Sequence, residues 1–222
     1  RDRSFAAGGF EPGARVLPEE TAVAISYNGT TQAVMMATPA DLDDFARGFT
    51  LTEGIARPEE IESITPVETD RGIDLQIWLR PQAEARIAAR RRTMAGPVGC
   101  GLCGIDSLEE ALRTLQPVAA SALRLTPVQV GAAVGALSSQ QPLHDATRAV
   151  HAALFWTPLQ GVVAAREDVG RHNALDKLAG ALAGQSLSDG AVVLTSRVSI
   201  DMVQKCAAIG APVLIAVSAP TA

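Results

Sequence analysis

The chain is poor in aromatic residues, in cysteine and in positive charge, and it has no long apolar run. Phe, Trp and Tyr are only 4% of its 222 residues, although 47% are apolar. A core of Ala, Val, Leu and Gly suits close helix-on-sheet packing better than an aromatic-rich β-sandwich. With 19 basic against 24 acidic side chains the net charge is −5, so the basic surface that phosphate backbones demand is missing and nucleic-acid binding is disfavoured. No apolar run reaches the ~18 residues that would suggest a membrane span. The longest, 207–219, is interrupted by Gly210, Pro212 and Ser218, and no signal peptide is visible. Three cysteines do not make a disulfide framework, and a reducing cytoplasm fits them best. In that compartment a close cysteine pair is more often chemical than structural.

What is present reads as two units. Residues 1–17, with Gly, Arg and Pro, are expected to be a mobile lead-in, with some residues missing before Arg1. A hairpin follows, Ala22–Tyr27 and Ala33–Met36 around Asn28-Gly29, a dipeptide suited to the positive φ of a two-residue turn. Thr38-Pro39-Ala40-Asp41 opens a helix with Leu42, Phe45, Phe49 and Leu51 inward, and Gly54 ends it. A strand over 73–79, a polar helix over 82–92, a breaker-rich loop over 95–104 and a helix over 108–115, with Ser107 and Glu110 in a capping-box pattern, complete the first unit. We place a soft boundary within 116–125, dividing a smaller α+β domain (1–120) from an α/β domain (121–222).

The second unit predicts a helix over 127–140, a hairpin over 152–165, a helix over 171–183, a strand over 191–194, a helix over 199–209 and a strand over 213–217. Short continuous apolar strands separated by helices imply a sheet covered on both faces. The order α-β-β-α-β-α-β is the connectivity of a three-layer, cytidine-deaminase-like α/β fold. Because the chain stops directly after a core strand, a C-terminal truncation is expected.

Three segments can carry chemistry. Cys100-Gly101-Leu102-Cys103 could bind a metal, cycle as a disulfide or relay sulfur. A structural zinc site needs four ligands, and only Cys206 and three scattered histidines remain. Cys206, beside Val203 and Ala207 on a helix, reads as a small buried hydrophobe. Zinc deaminase chemistry requires H-x-E and P-C-x-x-C; no H-x-E occurs, and Pro97 stands three residues before Cys100. Gly99-x-Gly101-x-x-Gly104 imitates a dinucleotide fingerprint, but basic residues, not an apolar strand, precede it. The glycines leave the sulfurs uncovered and the loop free to swing. Upstream arginines (Arg86, Arg90, Arg91, Arg92) and a following helix N-terminus favour thiolate, although the arginines also read as a solvated helix face.

The second segment, Arg166 to Lys177, follows a strand and opens a helix; Thr195-Ser196-Arg197-Val198-Ser199 occupies the equivalent place after the next strand. Strand C-terminal ends and helix N-termini are where α/β sheets accept anionic ligands. Ser199 alone reads equally well as a helix cap, and His172 alone as an ordinary helix residue. Together with Arg171 and Arg197 they read as a pocket for a phosphorylated or nucleotide-like ligand.

Cys100–Gly104, Arg166–Lys177 and Leu194–Ser199, extended by Met202–Lys205, Gly210–Val213, Ser218–Thr221, the Asn28-Gly29 hairpin and Phe49–Gly54, resemble the formate dehydrogenase accessory sulfurtransferase (FdhD/NarQ) family from about residue 20 onward. The resemblance implies a homodimeric sulfurtransferase. It would pass sulfur from a cysteine desulfurase to the molybdenum cofactor, in its bis-molybdopterin guanine dinucleotide form, for formate dehydrogenase. It makes Cys100 the persulfide carrier with Cys103 assisting, and places Arg166, Asp168, Arg171, His172, Ser196, Arg197 and Ser199 at the cofactor. A non-catalytic cofactor chaperone and a thiol–disulfide oxidoreductase are the alternatives. The chain departs from the family at Thr147–His151, where T-G-G-x-H is usual, and the family continues beyond Thr221.

Overall fold

The computed structural model describes residues 2–6, 9–13, 16–93 and 117–218. It opens on an antiparallel pair, β1 (Asp2–Ala6) with β2 (Gly9–Gly13), within the segment expected as a lead-in. The pair was not legible because a two-stranded ladder rests on backbone bonds, which do not require an alternating apolar text.

The next strands, β3 (Thr21–Tyr27) and β4 (Thr30–Ala37), form the expected hairpin. Asn28 and Gly29 take φ of 48° and 78°, the pair of positive values this turn requires. Helix α1 (Leu42–Thr52) leads to β5 (Ile61–Thr69), β6 (Gly72–Leu79) and α2 (Pro81–Thr93). The sheet order is β4-β3-β6-β5, with β3 and β6 parallel and the outer pairs antiparallel. Strand β5 was not legible in the sequence. Its partly buried residues, Ile61, Ile64 and Val67, recur every third position, and it contains Pro66, which an edge strand tolerates. Val23, Ile25, Tyr27, Leu75 and Ile77 pack against Phe45 of α1 to make the first core.

The second part begins with α3 (Pro127–Ala136), whose Thr126 and Gln129 cap it reciprocally, and a 3-10 turn over Leu137–Gln140. Helix α4 (Pro142–Thr147), strands β7 (His151–Thr157) and β8 (Gly161–Asp168), helix α5 (Arg171–Ala181), strand β9 (Ala191–Leu194), helix α6 (Ile200–Ala208) and strand β10 (Val213–Ala216) follow. The predicted elements of this part are all found, and α4 is added. The sheet order is β10-β9-β7-β8; β7 is antiparallel to both neighbours, and β9 and β10 are parallel. One face buries Phe155 and Val192 against Leu175, Leu178, Met202 and Cys206 of α5 and α6. The other buries Leu154, Trp156 and Val193 against Ala133 and Leu137.

The two sheets are joined through α1 and α5. A Cβ added to Gly48 would fall on the backbone carbonyl of Asp176, and one added to Gly180 on that of Asp44. Only glycine allows this approach. Each helix thus lies against the other's backbone, and the polar groups of α5 come within reach of α1.

Candidate functional site

Strand direction decides where the site residues meet. Because β8, β9 and β10 all run opposite to β7, their C-terminal ends share one sheet edge with His151, the first residue of β7. Thr195, just past β9, fastens this edge: its Oγ1 accepts from the Ala152 N–H at 2.9 Å, and Val217 N–H donates to Leu194 O at 3.1 Å. Helices α5 and α6 start beside it and their first turns are neighbours, His172 lying 3.8 Å from Asp201, so two helix N-termini and their partial positive charge meet at this end of the sheet, the candidate cleft.

Arg171 and His172 are the first two residues of α5, and the Gly170 before them supplies no side-chain cap. Ser199 stands at the N-cap of α6, yet its hydroxyl does not cap the helix. Its Oγ and the Nε of Arg171 are buried and have no hydrogen-bond partner among the described residues. Buried polar atoms are nearly always paired, because an unmet donor costs about 1–3 kcal/mol. Both unpaired atoms stand where a helix begins, Arg171 at the start of α5 and Ser199 at that of α6. Ser196 is buried and donates to Arg197 O at 3.2 Å, while Arg197 itself is exposed. Arg171, His172, Ser196, Arg197 and Ser199 therefore all lie at this mouth.

Two other residues expected at a ligand do something else. Asp168 has no exposed surface, and its carboxylate meets Lys177 Nζ at 2.7 Å, with both side chains fully buried. It also accepts from Thr38 N–H at 3.0 Å, Gly170 N–H at 2.7 Å and Asn173 Nδ2 at 2.9 Å. The carboxylate is thus satisfied within the protein and shapes the Gly170 turn. Arg166 donates through Nε and Nη2 to Asp44 at 2.8 and 2.6 Å and through Nη1 to Ala165 O. Its guanidinium fastens α1 to β8, with the side chain 26% exposed. The Arg166–Lys177 block thus divides between residues that hold α1 and β4 and residues that face the cleft.

The cleft histidine is uncharged near neutral pH. Burial, with Arg171 and Lys205 nearby, lowers the His172 pKa from 6.5 to about 4, against the opposing pull of Asp201 and Glu53. Its Nε2 lies 3.8 Å from Asp201 Oδ2, too far for a hydrogen bond, and with the ring neutral the pair is no salt bridge. His151 is also lowered, by burial first and then by Arg171 and His144.

A polar cluster behind the cleft escaped the sequence reading. Lys205 Nζ donates to Asp176 at 2.8 and 3.0 Å, to Glu53 at 2.6 Å and to Thr52 Oγ1 at 3.1 Å, and Thr52 Oγ1 donates to Asp176 at 2.6 Å. Burial pushes Asp176 up despite Lys205, and the carboxylates hold Lys205 up despite burial. The signal available was the i, i+4 spacing of His172 with Asp176 and of Asp201 with Lys205, which puts each pair on one helix face.

Cys100, Cys103, their glycine loop and the helix expected over 108–115 lie outside the described residues. Cys206 is buried in the second core, and burial pushes its thiol up to about 12, so it is chemically inert in the fold. At Thr147–His151, Arg148 adopts a φ of 54°. The first glycine of the usual pattern therefore coincides with a left-handed backbone position, which Arg148 occupies at a cost of about 1–2 kcal/mol.

Comparison with known proteins decides the family: residues 18–222 match the FdhD/NarQ family. The chain belongs to the FdhD/NarQ family. Among its relatives in the family, the sulfur carrier protein FdhD of Brucella abortus is 56% identical over 217 residues, spanning 96% of this chain and 81% of that protein. The FdhD of Agrobacterium fabrum is 54% identical over 213 residues, spanning 95% and 79%. A solved structure, a proposed formate dehydrogenase accessory protein from Desulfotalea psychrophila, superposes with a TM-score of 0.70 at 24% identity, covering the whole of this chain and 83% of that one, which shows a shared fold. The FdhD/NarQ match takes in both four-stranded sheets and the cleft. No helix among the described residues is long and apolar enough to cross a membrane.

Proposed function

We propose that this chain is a sulfur carrier that receives sulfur from a cysteine desulfurase as a persulfide on Cys100. It passes that sulfur to the molybdenum cofactor required by formate dehydrogenase. The observation that carries this reading is the similarity to sulfur carrier proteins, 54–56% identical over 95–96% of the chain, beside the polar side chains of Arg171, Arg197 and Ser199 where two helices begin. The guanine dinucleotide form of the cofactor suits this mouth, since its phosphates would be acceptors for these side chains. Asp168 and Arg166 act indirectly, holding the Gly170 turn and α1.

Inertness of Cys206 leaves Cys100 and Cys103 as the sulfur-bearing thiols, with Cys103 assisting release. The strand order, read outward from β7, and the helices on both sheet faces support a cytidine-deaminase-like C-terminal layer, with the division from the N-terminal α+β part near residue 120. The reading further places the protein in the cytoplasm as a homodimer.

The test is mass spectrometry after incubation with a desulfurase and cysteine, alongside activation of formate dehydrogenase. A +32 Da adduct is expected on the Cys100–Cys103 peptide and none on the Cys206 peptide, and Cys100→Ala should abolish activation while cofactor binding persists. Full activation by Cys100→Ala would refute the assignment.

A further inference from the structure

Helices α5 and α6 lie parallel and level with each other. Their second residues, His172 and Asp201, stand 3.8 Å apart, and one turn further along Asp176 meets Lys205 at 2.8 and 3.0 Å. Both contacts join equivalent positions of the two helices, so neither is slipped along the other. This alignment sets two helix starts of like partial charge side by side, which electrostatics disfavours. We propose that Lys205 and Asp176 are the register pin of the pair, positioning residues that keep the first turns of α5 and α6, with Arg171, His172 and Ser199, at one height. The purpose assigned to that end of the sheet rests on the sulfur-carrier reading; the pin is the device that sets its geometry.

Lys205 is tied from more than one side. Its Nζ also donates to Glu53 Oε1 at 2.6 Å and Thr52 Oγ1 at 3.1 Å, at the end of α1, and lies 5.7 Å from the centre of the Phe49 ring. Thr52 in turn donates to Asp176 at 2.6 Å. An ammonium held by α1 and α5 together cannot follow a sliding helix. A slip of one residue, about 1.5 Å of rise, would stretch the 2.8 Å contact beyond hydrogen bonding. For stability alone the buried pair is a poor choice, since apolar side chains of similar volume often serve as well or better; fixing register is the best-attested use of such groups. Lys177 repeats the arrangement at the other end of α1, where its Nζ donates to Thr38 O at 2.8 Å and lies 5.8 Å from the Phe45 ring centre. Each of the two helices therefore sends one buried lysine to α1, which acts as their common reference.

The test replaces the pair by apolar residues in the full chain, Asp176→Leu with Lys205→Met. The double variant should melt within about 5 °C of the parent. It should take up sulfur on the Cys100–Cys103 peptide as the parent does, yet activate formate dehydrogenase about tenfold less or worse, because the helix starts are displaced. Nuclear Overhauser contacts between the His172 ring and the Asp201 β protons, present in the parent, should be lost. Asp176→Asn, which leaves Lys205 its Glu53 partner, is the gentler variant and should weaken both activation and those contacts. Parent-level activation by the folded double variant, or survival of its first-turn contacts, overturns the pin and leaves the sulfur-carrier reading standing. Equal loss of sulfur uptake and activation marks a general structural role and overturns the pin as well. Should the double variant not fold, Asp176→Asn decides, and parent-level contacts and activation in it overturn the pin. A parent that takes up no sulfur overturns the carrier reading, and the first-turn contacts then judge the pin alone.

Discussion

Lys177→Met tests whether the motif between β8 and α5 is a structural lock as much as a binding surface. Methionine keeps most of the side-chain volume of lysine but removes the Nζ that meets Asp168 Oδ2 at 2.7 Å and donates to Thr38 O at 2.8 Å. Both side chains of the ion pair are fully buried, so Asp168 would be left as a buried charge with three neutral donors. Removing one partner of a buried pair costs about 3–5 kcal/mol. For a chain of this size that corresponds to a fall in Tm of roughly 6–20 °C, at about 2–4 °C per kcal/mol. Asp168→Asn should recover part of the loss in the Lys177→Met background. Its amide keeps an acceptor for Gly170 and Asn173 and removes the stranded charge. Urea unfolding of the parent, both single variants and the double variant closes the cycle, with an expected coupling of about 2 kcal/mol or more. Additive effects, or a Lys177→Met loss below about 1 kcal/mol, would refute the claim that this pair locks the turn.

Two other perturbations follow from the geometry. Gly48→Ala should destabilise by about 1–3 kcal/mol or more, because its methyl would fall on the Asp176 carbonyl and part α1 from α5; a denaturation midpoint equal to that of the parent would sink the close-approach account. For His172, the folded state binds fewer protons than the unfolded state between pH 6.5 and about 4. Stability is therefore full above the unfolded value and is lost as pH falls through that window, by about 3 kcal/mol in all. His172→Gln should flatten that part of the pH profile in thermal melts, and an unchanged slope would contradict the neutral ring.

Much of the fold was legible because it depends on short-range chemistry. Asn28-Gly29 dictated its hairpin, and the strand–helix alternation over 152–217 followed from apolar runs cut by Gly and Pro. The N-terminal pair and β5 were not legible. The first rests on backbone pairing, and the second has a three-residue apolar spacing and a proline that only an edge position permits. The sequence also grouped Arg166, Asp168, Arg171 and His172 as one binding constellation, since adjacency carries no information about which side chain faces which element.

By itself, then, the sequence determined the first hairpin and the strand–helix alternation over 152–217, the inert environment expected for Cys206 and the clustering of polar groups at strand ends, since each depends on neighbours within a few residues. Tertiary structure alone decided that Asp168 pairs with Lys177 and Thr38, that Arg166 reaches Asp44 of α1, and that Lys205 gathers Glu53, Thr52 and Asp176. These outcomes depend on the bare backbones of Gly48 and Gly180, which bring two helices from distant parts of the chain close enough for buried charges to pair.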